Sequence, residues 1–211
     1  MMSKIKTLSV CLLICTWMLT GCAQQVKVPE TVEENTLWVD KEGTVRLYLV
    51  DMFDEKAYFD VSELTRMAME EAEKYNKANA DSDQKSVVVE KVERSKTDGR
   101  IRVNYTFKDG KAFSGFQFLE GNLFYGTVKE AAAAGYSLGS VALVNAKDGS
   151  MTTGAAVESS AADKHVLITD QRLLIYCPYQ VTHVGEGAVC REDGTVDTTE
   201  AQGNVFILMK Q

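Results

Sequence analysis

Residues suited to catalysis are sparse in this chain. Among 211 residues there are two histidines, His165 and His183, to move protons near neutral pH. No Cys-x-x-Cys or His-x-x-x-His pair fixes a zinc geometry, and glycine-rich phosphate loops and dinucleotide fingerprints are absent. Basic clusters are missing too, which argues against nucleic acid as a partner, because such binding draws on Lys and Arg displacing counterions from phosphates. Nor is there an internal repeat. Only 14 residues, Thr7 to Thr20, separate Lys6 from Gly21, whereas a helix needs about 20 apolar residues to cross a bilayer.

That short stretch is nevertheless organised. Lys4 and Lys6 give a basic start, Leu8 to Leu19 is mostly apolar, and Leu19-Thr20-Gly21-Cys22 closes it, the order of an export signal. The closing four residues resemble the lipobox of bacterial lipoproteins. The resemblance implies removal of residues 1–21 and a diacylglyceryl thioether on Cys22, the only covalent group expected. It also implies a protein held on the extracytoplasmic face of the cell membrane by palmitate-class acyl chains. Each buried methylene contributes about 0.8 kcal/mol and stable anchoring takes two signals, so two chains hold where one would not.

Removing residues 1–21 takes Lys4 and Lys6 and no acid, leaving 21 basic and 30 acidic groups and moving the formal charge from −7 to −9. A surface of that sign repels polyanions and disfavours tight contact with anionic headgroups beyond the anchor. Of five cysteines, Cys11 and Cys15 leave with the signal and Cys22 takes lipid, so Cys177 and Cys190 remain. Outside the cytoplasm they fit either a disulfide across a hairpin or two buried free thiols.

Residues 22–35 are polar and read as a lipidated tether, leaving residues 36–211 as a single extracytoplasmic domain. Thr36–Val39 and Thr44–Val50 flank Asp40-Lys41-Glu42-Gly43 as a hairpin, with Val45, Leu47 and Leu49 on one face. Asp60 and Glu63 suggest a capping box for a long amphipathic helix to Lys77, whose apolar stripe is Leu64, Met67, Ala68, Ala72 and Tyr75. A second hairpin, Ser86–Arg94 with Arg100–Phe107, alternates strictly. Phe113, Phe116, Phe124 and Tyr125 crowd together between glycines, as a ligand platform or as a core plug. Thr127 and Glu130 cap a short helix that Gly135 stops. Beyond it, Val141–Asn145, His165–Thr169, Arg172–Cys177, Ala188–Arg191 and Asn204–Met209 read as strands, with Ala155–Ala162 as one or two helical turns. The fold class is α+β: antiparallel hairpins, one long helix, one or two short ones and a strand-rich C-terminal half.

From Ala112 to Leu138, Ala-Phe-Ser-Gly-Phe, then Leu123-Phe124-Tyr125-Gly126-Thr127-Val128 and Ala134-Gly135-Tyr136, resemble uncharacterised cell-surface lipoproteins of Gram-positive anaerobes. The resemblance covers the first two thirds of the mature chain. It implies a surface location and an α+β fold and brings no activity.

Three patterns imitate catalysis. Gly135-Tyr136-Ser137-Leu138-Gly139 matches the nucleophile elbow, which needs a strand before the serine and a helix after it; here the order is reversed. Ser82-Asp83-Gln84-Lys85 fits Ser-x-x-Lys but lacks its partner motifs. His165, His183, Cys177 and Cys190 form a Cys/His set with no spacing that joins a thiol to an imidazole. The expectation is therefore a non-catalytic lipoprotein without a metal or cofactor, binding an envelope component or small ligand. An envelope hydrolase using Ser137 or a Cys/His pair is the alternative. Cells fed radioactive fatty acid should label the native chain and not Cys22→Ser, and undiminished labelling of the variant would refute the anchor.

Overall fold

The computed structural model describes residues 32–51, 60–80, 84–161 and 163–210; Cys22, Ser82 and Asp83 lie outside them. In chain order come β1 (Thr36–Val39), β2 (Val45–Asp51), α1 (Val61–Ala78), β3 (Val87–Arg94), β4 (Ile101–Phe107), α2 (Gly110–Gly115) and a 3-10 turn (Gln117–Leu119). They are followed by β5 (Leu123–Thr127), α3 (Val128–Ala133), β6 (Ala142–Asn145), β7 (Met151–Thr153), α4 (Gly154–Ala161) and β8 (His165–Thr169). The last strands are β9 (Leu174–Tyr176), β10 (Gln180–Gly185), β11 (Val189–Cys190), β12 (Val196–Asp197) and β13 (Val205–Lys210). The α+β class holds, with the strands in two mostly antiparallel sheets.

Sheet A runs β11-β12-β9-β1-β2-β4-β3 and sheet B runs β5-β8-β13-β10-β6-β7. Side-chain alternation dictates how they stack. Leu37, Leu47 and Tyr105 stand opposite one another across β1, β2 and β4, as do Leu167, Ile207 and Val184 across β8, β13 and β10. All six are buried in one core, so these faces of the two sheets meet. The reverse face of sheet B carries Ile168, Phe206, Leu208 and Leu143, which pack with Val128 and Ala131 of α3 and Ala161 of α4 in a second core. Sheet B is thus the middle layer.

Both expected hairpins form, and their alternate residues separate: Ile101, Val103, Tyr105 and Phe107 are buried while Arg102, Asn104 and Thr106 are half-exposed. One pairing departs from the antiparallel expectation, since β1 and β9 run parallel, Leu37 opposite Ile175. Parallel neighbours need a long crossover. Here the whole chain from β2 to α4 and β8 supplies it.

Helix α1 lies against β3, with Ala68 and Ala72 buried and Leu64 and Tyr75 partly so. Met67, expected on that stripe, is 44% exposed. Small alanines let the helix approach closely along the Leu64, Ala68, Ala72, Tyr75 row, and Met67 falls at its edge. The Asp60 capping box is incomplete: Asp60 Oδ1 accepts Ser62 N–H at 2.8 Å, while Glu63 faces Arg66 at 3.9 Å. At α3 the box is complete, Glu130 N–H donating to Thr127 Oγ1 at 3.2 Å and Thr127 N–H to Glu130 Oε2 at 2.7 Å.

The end of the expected tether belongs to the fold. Arg100 Nη1 donates to the Glu33 carbonyl at 2.6 Å, Arg102 Nε to the Val32 carbonyl at 3.4 Å and Val50 N–H to Asn35 Oδ1 at 2.8 Å. Val32 itself is buried.

As an edge strand, β3 would present bare backbone groups. Asn76 satisfies two of them: its amide nitrogen donates to the Val87 carbonyl at 2.7 Å and its oxygen accepts Val87 N–H at 2.9 Å. Leaving a partly buried backbone pair unmet costs about 1–3 kcal/mol. Asn76→Ala should lower the unfolding free energy by about 1–3 kcal/mol, seen as a lower denaturant midpoint at unchanged slope, and an unchanged midpoint would show that water replaces the amide.

Candidate functional site

The crowded aromatics separate as soon as β5 is placed. Helix α2, capped by Asp109 Oδ1 accepting Ala112 N–H at 2.7 Å, directs Phe113 and then Phe116 into the inter-sheet core. There Phe113 lies 5.2 Å from Phe107, and Phe116 lies 5.8 Å from both Tyr75 and Tyr105. Their exposures are 1% and 2%, so neither can meet a ligand. Successive residues of a strand point to opposite faces: Phe124 turns toward α3, 5.4 Å from Tyr136, and Tyr125 toward sheet A. The four residues expected as one platform therefore divide, with Phe113 and Phe116 as core plug, Phe124 in the second core and Tyr125 alone near an opening.

Tyr125 gains other neighbours. Pairing of β5 with β8 sets Thr127 opposite His165, which brings His165 diagonal to Tyr125 with ring centroids 5.5 Å apart. Tyr179, just before β10, lies 4.9 Å from His165, and its phenol is hydrogen-bonded to that of Tyr125. From sheet A, the turn after β1 reaches across: Lys41 Nζ is 5.5 Å from the Tyr179 ring centroid, and Tyr125 Oη donates to the Lys41 carbonyl at 3.5 Å. Gly43 permits this approach, with φ of 87° and a notional Cβ 3.4 Å from the Tyr125 ring. A larger residue would strain the turn and press on the ring.

The three rings are half-exposed and Lys41 is exposed. Burial first, then the Tyr179 phenol and the Asp40 carboxylate, raise the Tyr125 hydroxyl above its ordinary value, so it remains a protonated donor at neutral pH. Three tilted rings with an ammonium over one of them offer stacking area, a fixed positive charge and a phenolic donor.

The remaining candidates lie elsewhere. Ser137 is exposed in the loop between α3 and β6, with a helix rather than a strand before it, so no elbow forms. His183 on β10 sits 3.2 Å from Thr182 Oγ1, and burial followed by Lys164 lowers its basicity. Cys177 and Cys190 are free thiols rather than a disulfide. Burial pushes the Cys177 thiol up to about 12, with Cys190 a smaller cause, which denies it the thiolate that nucleophilic attack requires. Among the described residues no three His, Cys, Asp or Glu side chains are grouped to hold a metal ion, and no helix is long and apolar enough to cross a membrane.

No protein-family model matches the chain, and neither a curated protein nor a solved structure gives a significant match.

Iodoacetamide at neutral pH should modify Cys190 slowly, because burial and Asp193 raise its thiol, and should reach Cys177 only after unfolding. Rapid alkylation of native Cys177, or a Cys177–Cys190 peptide in a non-reducing digest, would contradict this arrangement.

Proposed function

We propose that the protein is a lipid-anchored, non-catalytic binding protein of the cell envelope. Its ring cluster of Tyr125, His165 and Tyr179, with Lys41, meets a flat or ring-bearing envelope component. The anchor reading rests on Leu19-Thr20-Gly21-Cys22. The observation that carries the binding reading is where the cluster lies relative to the tether. Val32–Asn35 is held at the start of β1 by Arg100, Arg102 and the Asn35–Val50 bond, and Lys41 follows the other end of that strand. The four residues of β1 span about 13 Å at about 3.3 Å each. A domain tethered at one end of β1 presents its half-exposed rings at the other, away from the point of attachment.

Such rings lose little rotamer freedom on binding and give area with one polar tip each. The surrounding acidity restricts the partner: a chain of net −9 after processing repels polyanions, so a neutral or weakly charged ring system suits the cluster better than a phosphate-rich polymer.

A photo-reactive residue at Glu42, in the turn beside Lys41, should capture an envelope component on intact cells. Tyr179→Ala and Lys41→Ala should each cut the capture several-fold, and Cys22→Ser should cut it by releasing the chain. If a control probe at Tyr48, on the outer face of sheet A, captures the same species and Tyr179→Ala changes nothing, the cluster is not the contact.

A further inference from the structure

The alternation that fills the core also builds the reverse face of sheet A, turned away from sheet B. Strand pairing sets Trp38 of β1, Arg46 of β2 and Thr106 of β4 directly opposite one another, with Tyr48 and Asn104 in the next outward row. All five are half-exposed. The Arg46 guanidinium lies over the Trp38 ring, 4.2 Å from its centroid. That contact fixes the cation in place without using its N–H donors.

The other cations of this face are already answered. Lys91 Nζ lies 2.7 Å from Glu93 Oε1, Arg102 Nη2 2.8 Å from Asp98 Oδ2, and Arg191 Nη2 2.6 Å from Asp197 Oδ2. Among the described residues Arg46 meets no carboxylate, and the Thr106 hydroxyl, the Asn104 amide and the Tyr48 phenol beside it take no hydrogen-bond partner.

The acids nearest in the chain are placed elsewhere. Asp40 Oδ1 accepts Thr44 N–H at 2.8 Å, and Glu42 is exposed in the turn. Asp54 and Glu55 come after Asp51, which ends β2 about 16 Å from Arg46 at about 3.3 Å per residue. Asp81 and Asp83 come after α1, whose Ala68 and Ala72 pack on the opposite, core-facing side of the sheet.

We propose that this face binds a sugar acid, a pyranose ring carrying one carboxylate. The carboxylate pairs with Arg46 on the side that Trp38 leaves open, since a planar, two-pronged anion matches the guanidinium fork. The ring lies over Tyr48, two residues along β2 and so about 7 Å away, and stacks there. Its hydroxyls meet Asn104 and Thr106, whose side chains both donate and accept. A single carboxylate suits a chain of formal charge −7, which repels a polymer charged at every unit. The face points away from the Tyr125 cluster, and neither site needs the other or the lipid on Cys22.

Saturation-transfer NMR on the full chain in a neutral detergent tests this, with glucuronate as the probe, glucose as its neutral counterpart and acetate as the bare carboxylate. Glucuronate should give a saturable signal about fivefold stronger than glucose or acetate, concentrated on the ring protons. Arg46→Gln should cut that signal about fivefold, and Arg46→Lys, which keeps the charge and loses the fork, should cut it as well. Tyr48→Ala should weaken the glucuronate signal and leave that of acetate as it was. An unchanged circular dichroism melt of these surface variants will show that folding is intact. Equal signals from glucuronate and acetate would reduce Arg46 to a counter-ion site and overturn the proposal, as would an Arg46→Gln variant that binds normally. If Arg46→Gln instead dissociates an oligomer seen by sedimentation, a second copy of the chain occupies the face and the proposal falls.

Discussion

Burial of sheet B on both faces constrains everything around it. Five consecutive residues of β13, Val205 to Met209, are all buried, and so are Val166 to Thr169 of β8. In a strand that faces water on one side such runs would leave alternate large apolar residues exposed. Here the odd positions of β13 enter the inter-sheet core and the even ones, Phe206 and Leu208, enter the core beneath α3 and α4. Fully burying each such side chain contributes about 1.5–3 kcal/mol. A slip of one residue in register would exchange the two populations, and the sandwich core and the helical core would both be filled with side chains of the wrong size.

The ring cluster follows from that middle position. Tyr125, Leu167, Ile207 and Val184 occupy one row across sheet B, directed at sheet A. Leu167 and Ile207 are sealed under sheet A. Tyr125 belongs to β5, the edge strand of sheet B, so cover there falls to the Asp40–Thr44 turn, and that turn closes only partly. Lys41 and Gly43 therefore do two things at once. They complete the rim of the core and leave three rings half open. The same geometry explains why Phe124, next in sequence, has no part in the cluster: its side chain belongs to the opposite face.

Elements with a clear period were legible from the residues alone. The two N-terminal hairpins, α1, the Thr127 cap with the Gly135 stop, and β8 all stand where alternation, helical spacing and capping put them. What escaped was set by distant partners. Strand β12 has two residues, too few for a period, and it exists because it bridges β9 and β11. β10 begins with Gln180 and carries a half-buried His183, which hides its strand character until it pairs with β13 and β6. For the site, Tyr125 was legible as an aromatic near a surface and His165 as a strand residue. Tyr179 and Lys41 carried no signal, since neither spacing nor composition reveals that a turn of one sheet closes on the rings of the other.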